Sequence, residues 1–328
     1  MFTNYNKTRM DKLINQIYVA KKTIKKATAA LYVKHLNQLY QKTNNNHKPI
    51  KSFNWLLDYE KVRPIMDSYD SLCRRKALSA AALAGLTVIN SPIDVYEKYR
   101  QYLNDVSVLY NDAHYMNIKS KKESENWTSI DDLMEILNGY IKKIKLVGIN
   151  KKSTLNRKEM KLLQSYLVAS LYLLRPPLRN VYATLDIISY DNYNKLSNED
   201  KENNNYLVIK SRNTKWFSFG DYKTKKTYGM KFERIQPKLN SVINLWRKFN
   251  LDAKHLLYNN RNKKLSKNGL TKLLNRVFAG TGKKISTSML RHIYVSRNVD
   301  NKKFNEMRKL AKQMNHSVIT QNDIYYKN

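Results

Sequence analysis

Cysteine is almost missing from this 328-residue chain, where Cys73 stands alone. One thiol excludes an internal disulfide and any cysteine-cluster zinc site, and it fits a reducing compartment. Acidic residues are also scarce. Asp and Glu together number 26 against 61 Lys and Arg, for a net charge of +35. Long apolar runs are absent: Leu78–Ile89 and Tyr166–Leu174 are the longest, and both fall far short of a membrane-spanning helix. Met1–Ile14 is polar and charged, so no secretory signal is expected there. The sequence contains no G-x-x-x-x-G-K-[ST] phosphate loop, no His/Cys spacing suited to zinc and no paired Asp/Glu cluster of the two-metal nuclease kind. Only 8 Gly and 6 Pro interrupt its periodic segments, and no internal repeat of fixed period is visible.

What the chain does contain is core-forming material. Hydrophobic residues reach 42%, with 24 Tyr among them, which excludes a disordered polycation. A folded chain this basic calls for a polyanionic partner, nucleic acid first and an acidic membrane second. The expectation is an intracellular, soluble protein that holds phosphate.

The length allows about two domains. Helical spacing is expected over Thr23–Thr43, Asn54–Asp67, Leu72–Val88 and Pro92–Tyr115. The charged stretch Asn117–Asn126 (NIKSKKESEN) then reads as a solvated loop and a domain boundary, dividing a helical domain, 1–120, from a second domain, 121–328. Beyond it, Ser129–Ile144 and Leu155–Leu174 are expected to be helices, the second buried and ended by Pro176-Pro177. Tyr206–Ile209, Trp216–Phe219 and Met230–Ile235 alternate like strands of a small antiparallel sheet. Helices resume at Leu239–Phe249, Lys267–Phe278, Ser288–Val299 and Phe304–Met314. The fold class is therefore mainly α with one small antiparallel β-sheet in the second domain.

Without acidic or cysteine clusters, any chemistry on phosphate would fall to arginine and lysine. Leu173–Leu185 reads LLRPPLRNVYATL. Proline favours the first helical position, so Pro177 is expected to start a helix with Arg179 in its first turn, facing an anion together with free backbone N–H groups. Arg175 is the weaker candidate, because it can simply complement the dipole at the end of the preceding helix. Ile285–Val295 reads ISTSMLRHIYV, with Ser286, Thr287 or Ser288 as helix cap and Arg291 about one turn in. Met314-Asn315-His316 follows the last striped helix, where Asn315 can end the helix in the left-handed conformation. Tyr325 stands nine positions after His316.

In this order, the arginine after a buried helix, the hairpin lysine, the L-R-H, the M-N-H and the late tyrosine resemble the catalytic domain of the tyrosine recombinases. These are the phage-integrase-type enzymes that break and rejoin DNA. The matching stretch runs from about Leu173 to Tyr326, and the helical region before Asn117 looks like the family's core-binding domain by architecture alone. The Pro-Pro-x-Arg motif and the hairpin FSFGDYKTKKTYG (Phe217–Gly229) look like variants from large DNA viruses, virophages and related mobile elements.

The resemblance implies catalytic roles for Arg179, Lys223, Arg291, His316 and Tyr325, with Lys225 in reserve for Lys223. It implies strand cleavage through a 3′-phosphotyrosine link without metal, ATP or any other cofactor. The implied partner is double-stranded DNA, clamped between the domains and worked on by a self-assembled tetramer, with no membrane involved. Three positions depart from the family pattern. Ser288 stands where a histidine usually precedes the second arginine, Asn315 replaces a glycine, and Tyr182 occupies a position often acidic. Serine cannot act as a base near neutrality, so removal of the Tyr325 proton has no assigned agent. His292 is close in sequence, although a packed structural histidine is the plainer expectation for it. Two other readings stay open: a type IB topoisomerase-like enzyme that relaxes DNA, and a catalytically inactive DNA-binding protein of the same fold.

Overall fold

The computed structural model describes residues 2–115, 119–314 and 318. The chain forms two compact units, 1–118 and 119–328, each with its own apolar core.

The first unit is helical: α1 (Phe2–Ala20), α2 (Lys26–Thr43), α3 (Tyr59–Asp67), α4 (Leu72–Val88) and α5 (Ile93–Tyr115). The polar sequence of the first helix hid it from the periodicity, yet Leu13 and Ile17 anchor it in the core. The expected single helix Asn54–Asp67 is split at Asp58, whose carboxylate accepts from the Lys61 N–H and caps α3. A 3₁₀ turn, Asn54–Leu57, precedes it. Helix α4 is buried over its second half, Leu78–Leu86, because alanines and Gly85 let neighbours approach closely. A Cβ on Gly85 would lie 2.9 Å from Leu56 Cδ1.

The second unit opens with α6 (Lys121–Asn126), within the stretch expected to be a solvated loop. Ser120 and Glu123 form a reciprocal capping box there. The helix is also held from afar: Lys283 Nζ donates to the Glu125 carbonyl at 3.0 Å, and the Lys284 N–H to Asn126 Oδ1 at 2.9 Å. Next come α7 (Ile130–Leu146) and α8 (Arg157–Leu173), each started by a capping box, Ser129 with Asp132 and Asn156 with Glu159. Helix α8 is the centre of the unit and touches α7 as well as the later α12 (Pro237–Lys248) and α13 (Lys267–Val277).

A four-stranded sheet runs β1 (Leu185–Ser189), β2 (Asn205–Ile209), β3 (Lys215–Phe219) and β4 (Lys231–Arg234), in that order. It is mixed rather than purely antiparallel, since β1 pairs parallel with β2. The connection between them carries two short helices, α9 (Tyr190–Asn194) and α10 (Asn198–Asn203), which give the chain the length a parallel crossover needs. The outer edge of β1 is covered: the Ile187 N–H donates to the Lys254 carbonyl and the Leu256 N–H to the Leu185 carbonyl. One sheet face, with Leu207, Phe217 and Phe219, packs into the main core beside Tyr172, Tyr182 and Trp246. The short α11 (Lys225–Tyr228) lies between β3 and β4, and α14 (Thr287–Asn298) and α15 (Asn301–Gln313) follow α13. Among the described residues no helix is long and apolar enough to cross a membrane.

Candidate active site

Three segments of the second unit meet at one cleft of about 220 Å³. The first follows α8. Residues 174–179 are not helical, and Arg179 is extended (φ −67°, ψ −163°), immediately before a 3₁₀ turn at Asn180–Thr184. The expected helix beginning at Pro177 is therefore not formed, and Arg179 precedes the turn instead of sitting inside it. The two prolines and the extended arginine carry the chain away from α8 before it can turn again. The Arg179 carbonyl accepts from the buried Tyr172 hydroxyl at 3.2 Å, which fixes the backbone and leaves the guanidinium exposed.

The second segment is the connection from β3 to β4, whose ends pair Phe219 with Lys231. Its base is pinned. Gly220 approaches α10 so closely that a Cβ would fall 2.0 Å from the Lys201 carbonyl oxygen, so only glycine fits. Lys267 Nζ lies 3.3 Å from Asp221 Oδ2, and Tyr222 Oη donates to the Gly229 carbonyl at 2.5 Å. Lys225 Nζ is committed to Glu202, donating to its carbonyl at 2.8 Å and lying 3.1 Å from its carboxylate. Lys223 lines the cleft between these anchors with an exposed side chain. Of the two lysines the sequence offered, the cleft takes Lys223.

The third segment is α14. Ser286 caps it by accepting from the Met289 N–H, and Arg291 is its fifth residue, beyond the first turn, half-buried and facing the cleft. Thr287 Oγ1 donates to Asn180 Oδ1 at 3.0 Å, joining this helix to the turn after Arg179.

Pro177, Leu178, Val181 and Phe219 also line the cleft, with Tyr222 and Tyr228 beside Lys223. Its charged lining is wholly cationic: Arg179, Lys223, Lys231 and Arg291, with no carboxylate among the described residues. None of the Arg179, Lys223 or Arg291 side chains has a hydrogen-bond or ion-pair partner among the described residues. Such a site suits a phosphate, whose oxygens two guanidinium forks can grip. Lys231 escaped the sequence reading. Strand alternation carries the signal for it, since residues directly opposite in an antiparallel pair share a face, and Lys231 is opposite Phe219.

Arg175 lies elsewhere. It is ion-paired with Glu233 and stacked 5.3 Å from the Phe217 ring centroid. Tyr182 is wholly buried and packs edge-on against Tyr172 and Phe217; burial pushes its phenol well above the usual tyrosine range. Ser288 is exposed one turn before Arg291. His292 is not packed in the core as expected. Its side chain is 56% exposed, with Nε2 3.5 Å from Glu123 Oε1. Asn315, His316, Tyr325 and Tyr326 lie outside the described residues.

One further lysine has an unusual environment. Lys215 is 3% exposed, and its ammonium is surrounded by neutral oxygens: the Arg212 carbonyl at 2.6 Å, Asn240 Oδ1 at 2.9 Å and Asn244 Oδ1 at 2.6 Å. Burial, with help from the Arg247 and Arg212 charges, pulls its pKa down to about 8. A shift of that kind often marks a working group. Here all three protons are spent on tying the β2–β3 turn to α12, and Lys215 does not line the cleft. Among the described residues no cluster of three or more His, Cys, Asp or Glu side chains is placed to hold a metal ion.

No family model matches the chain, and no curated protein matches it. Among solved structures, the crystal structure of XerA recombinase aligns with 97% of this chain and 94% of that one, at 12% identity and a TM-score of 0.33. A likeness that faint carries no argument about fold or chemistry.

Proposed function

We propose that the chain is a site-specific DNA recombinase or integrase of the tyrosine type, cutting and rejoining strands through a 3′-phosphotyrosine link. One observation supports this most: residues distant in sequence, chosen by motif, line a single cleft that has no carboxylate among the described residues, namely Arg179, Lys223 and Arg291.

The chemistry asks for this charge pattern. A phosphodiester attacked by a phenol gathers negative charge on its non-bridging oxygens. Arg179 and Arg291 would hold those oxygens in a preorganised, partly desolvated site, where such contacts act mainly on the transition state. His316 would add one hydrogen bond. The Tyr325 oxygen bonds to phosphorus as the bond from phosphorus to the 5′ oxygen breaks. Lys223 gives its proton to the departing 5′ oxygen, and the phenol releases its own proton to solvent. The phosphotyrosine keeps the energy of the broken bond, so the attack of a 5′ hydroxyl reverses each step. In this reading the partner is duplex DNA, several protomers assemble on it, and the gene belongs to a mobile element or virus.

Covalent capture from a pool of nicked, randomised duplexes tests the proposal. Denaturant-resistant protein–DNA adducts should accumulate and converge on a recognition sequence. Plasmid relaxation without paired sites would favour a topoisomerase, and the absence of any adduct would favour a binding protein without activity.

A further inference from the structure

We infer that Asn205 is a positioning residue for this reaction: its buried carboxamide joins the Lys223 loop to the turn after Arg179 and so sets the general acid relative to the phosphate clamp. The inference rests on the recombinase reading of the cleft.

Asn205 opens β2 and is 1% exposed. Asparagine is a poor strand residue, and a buried amide costs stability unless it is bonded. This one is well bonded. Its Oδ1 accepts from the Asp221 N–H at 3.0 Å, and its Nδ2 donates to the Asp221 carbonyl at 2.9 Å. The side chain thus pairs with the Asp221 backbone as a second peptide group would, two residues before Lys223. The remaining Nδ2 proton goes to Thr184 Oγ1 at 3.0 Å. Thr184 in turn donates to the Val181 carbonyl at 3.2 Å, inside the 3₁₀ turn that follows Arg179.

The same turn is bonded to the Arg291 helix, because Thr287 Oγ1 donates to Asn180 Oδ1. One hydrogen-bonded chain therefore connects the three segments that supply Arg179, Lys223 and Arg291. An apolar side chain at position 205 would fill the space and satisfy the strand. What it could not do is hold Asp221 at a fixed distance from Val181. The amide at this place thus satisfies the Asp221 peptide and, through its third bond, fixes that peptide against the turn after Arg179.

The test separates positioning from folding by changing the leaving group. Two nicked duplexes of one captured sequence are compared, one with the natural 5′-bridging oxygen at the scissile phosphate and one with a 5′-bridging sulfur. A thiol has a pKa near about 8.5, so the sulfur departs as a thiolate without a proton, and a misplaced general acid no longer matters. In full-length protein, Asn205→Leu should slow cleavage of the oxygen substrate by roughly tenfold to a hundredfold, the scale of an ångström-sized misplacement. It should cleave the sulfur substrate at nearly the wild-type rate. Thr184→Val, which deletes a single hydroxyl, should shift both rates in the same pattern and decides the matter if Asn205→Leu does not fold. Equal losses on both substrates, or no loss on either, overturn the inference. Lys223→Ala is the reference. If sulfur fails to rescue it, the general-acid assignment of Lys223 falls and the inference with it. If sulfur rescues Lys223→Ala but neither Asn205→Leu nor Thr184→Val, the role of Asn205 alone is wrong.

Discussion

Arg291 and Arg179 approach the cleft from unlike settings, one half-buried on a long helix and the other exposed before a short turn. Arg291→Ala should reduce adduct formation by at least about a hundredfold, the usual loss for a preorganised oxyanion donor. Arg291→Lys should be poor as well, because an ammonium cannot make the forked contact. DNA affinity, measured by filter binding, should change little in either variant. Arg175→Ala should instead lower stability, since it breaks the ion pair with Glu233 and the stack on Phe217. The proline pair and the L-R-H motif picked out in the sequence two arginines that line the cleft, although the helix expected from Pro177 around Arg179 is not formed. Lys231, the Asn205 amide and the exposure of His292 were not legible, as each depends on which strand or helix lies opposite. Lys215 gives a test with a definite sign. Its folded-state pKa is depressed to about 8, while the unfolded lysine holds its proton to about 10.4. Between these values the unfolded chain binds more protons, so this group makes stability rise with pH, by at most about 1.4 kcal/mol per pH unit. Denaturant unfolding of wild type should gain stability relative to Lys215→Met as pH rises from 8 to 10. A gap that stays constant would contradict the shift.

At the scale of elements, the site depends on a few short pieces that periodicity reads poorly. The long helices α4 and α13 show through the sequence because apolar spacing and a capping serine coincide. Strand β1 does not, since LDIIS breaks its alternation at Ile187-Ile188 and owes its place to partners on both edges. The helix α6 was hidden by its charge, and capping and distant backbone contacts outweigh that charge. The base of the Lys223 loop offers the sharpest mutational probe. Gly220→Ala forces a Cβ against backbone oxygens of α10 that no side-chain rotation can relieve. It should destabilise the second unit by about 1–3 kcal/mol or more and slow cleavage beyond what the lost folded fraction explains. Urea unfolding together with adduct yield per folded molecule measures both. An unchanged midpoint would show that α10 and the loop base do not pack as described.

At the scale of the whole chain, the excess of cations exceeds what one cleft requires. A net charge of +35 predicts DNA binding dominated by phosphate contacts, with each neutralised phosphate adding roughly −0.9 to the log–log salt slope. Fluorescence anisotropy between low and physiological salt should give a steep slope, and a flat one would remove the electrostatic account of the partner. The central claim is that the cleft of Arg179, Lys223 and Arg291 serves a tyrosine near the end of the sequence. The most direct measurement is the identity of the residue that carries DNA. Captured adducts are digested with protease and nuclease, and the modified peptide is sequenced by mass spectrometry. The account predicts a nucleotide on Tyr325 through a 3′ phosphate, formed in excess EDTA and lost in Tyr325→Phe. Tyr326 is one position further along; on a helix that step turns a side chain by about 100°, so it should remain unmodified. DNA found on Tyr326, on a serine, or on no residue at all would contradict the account.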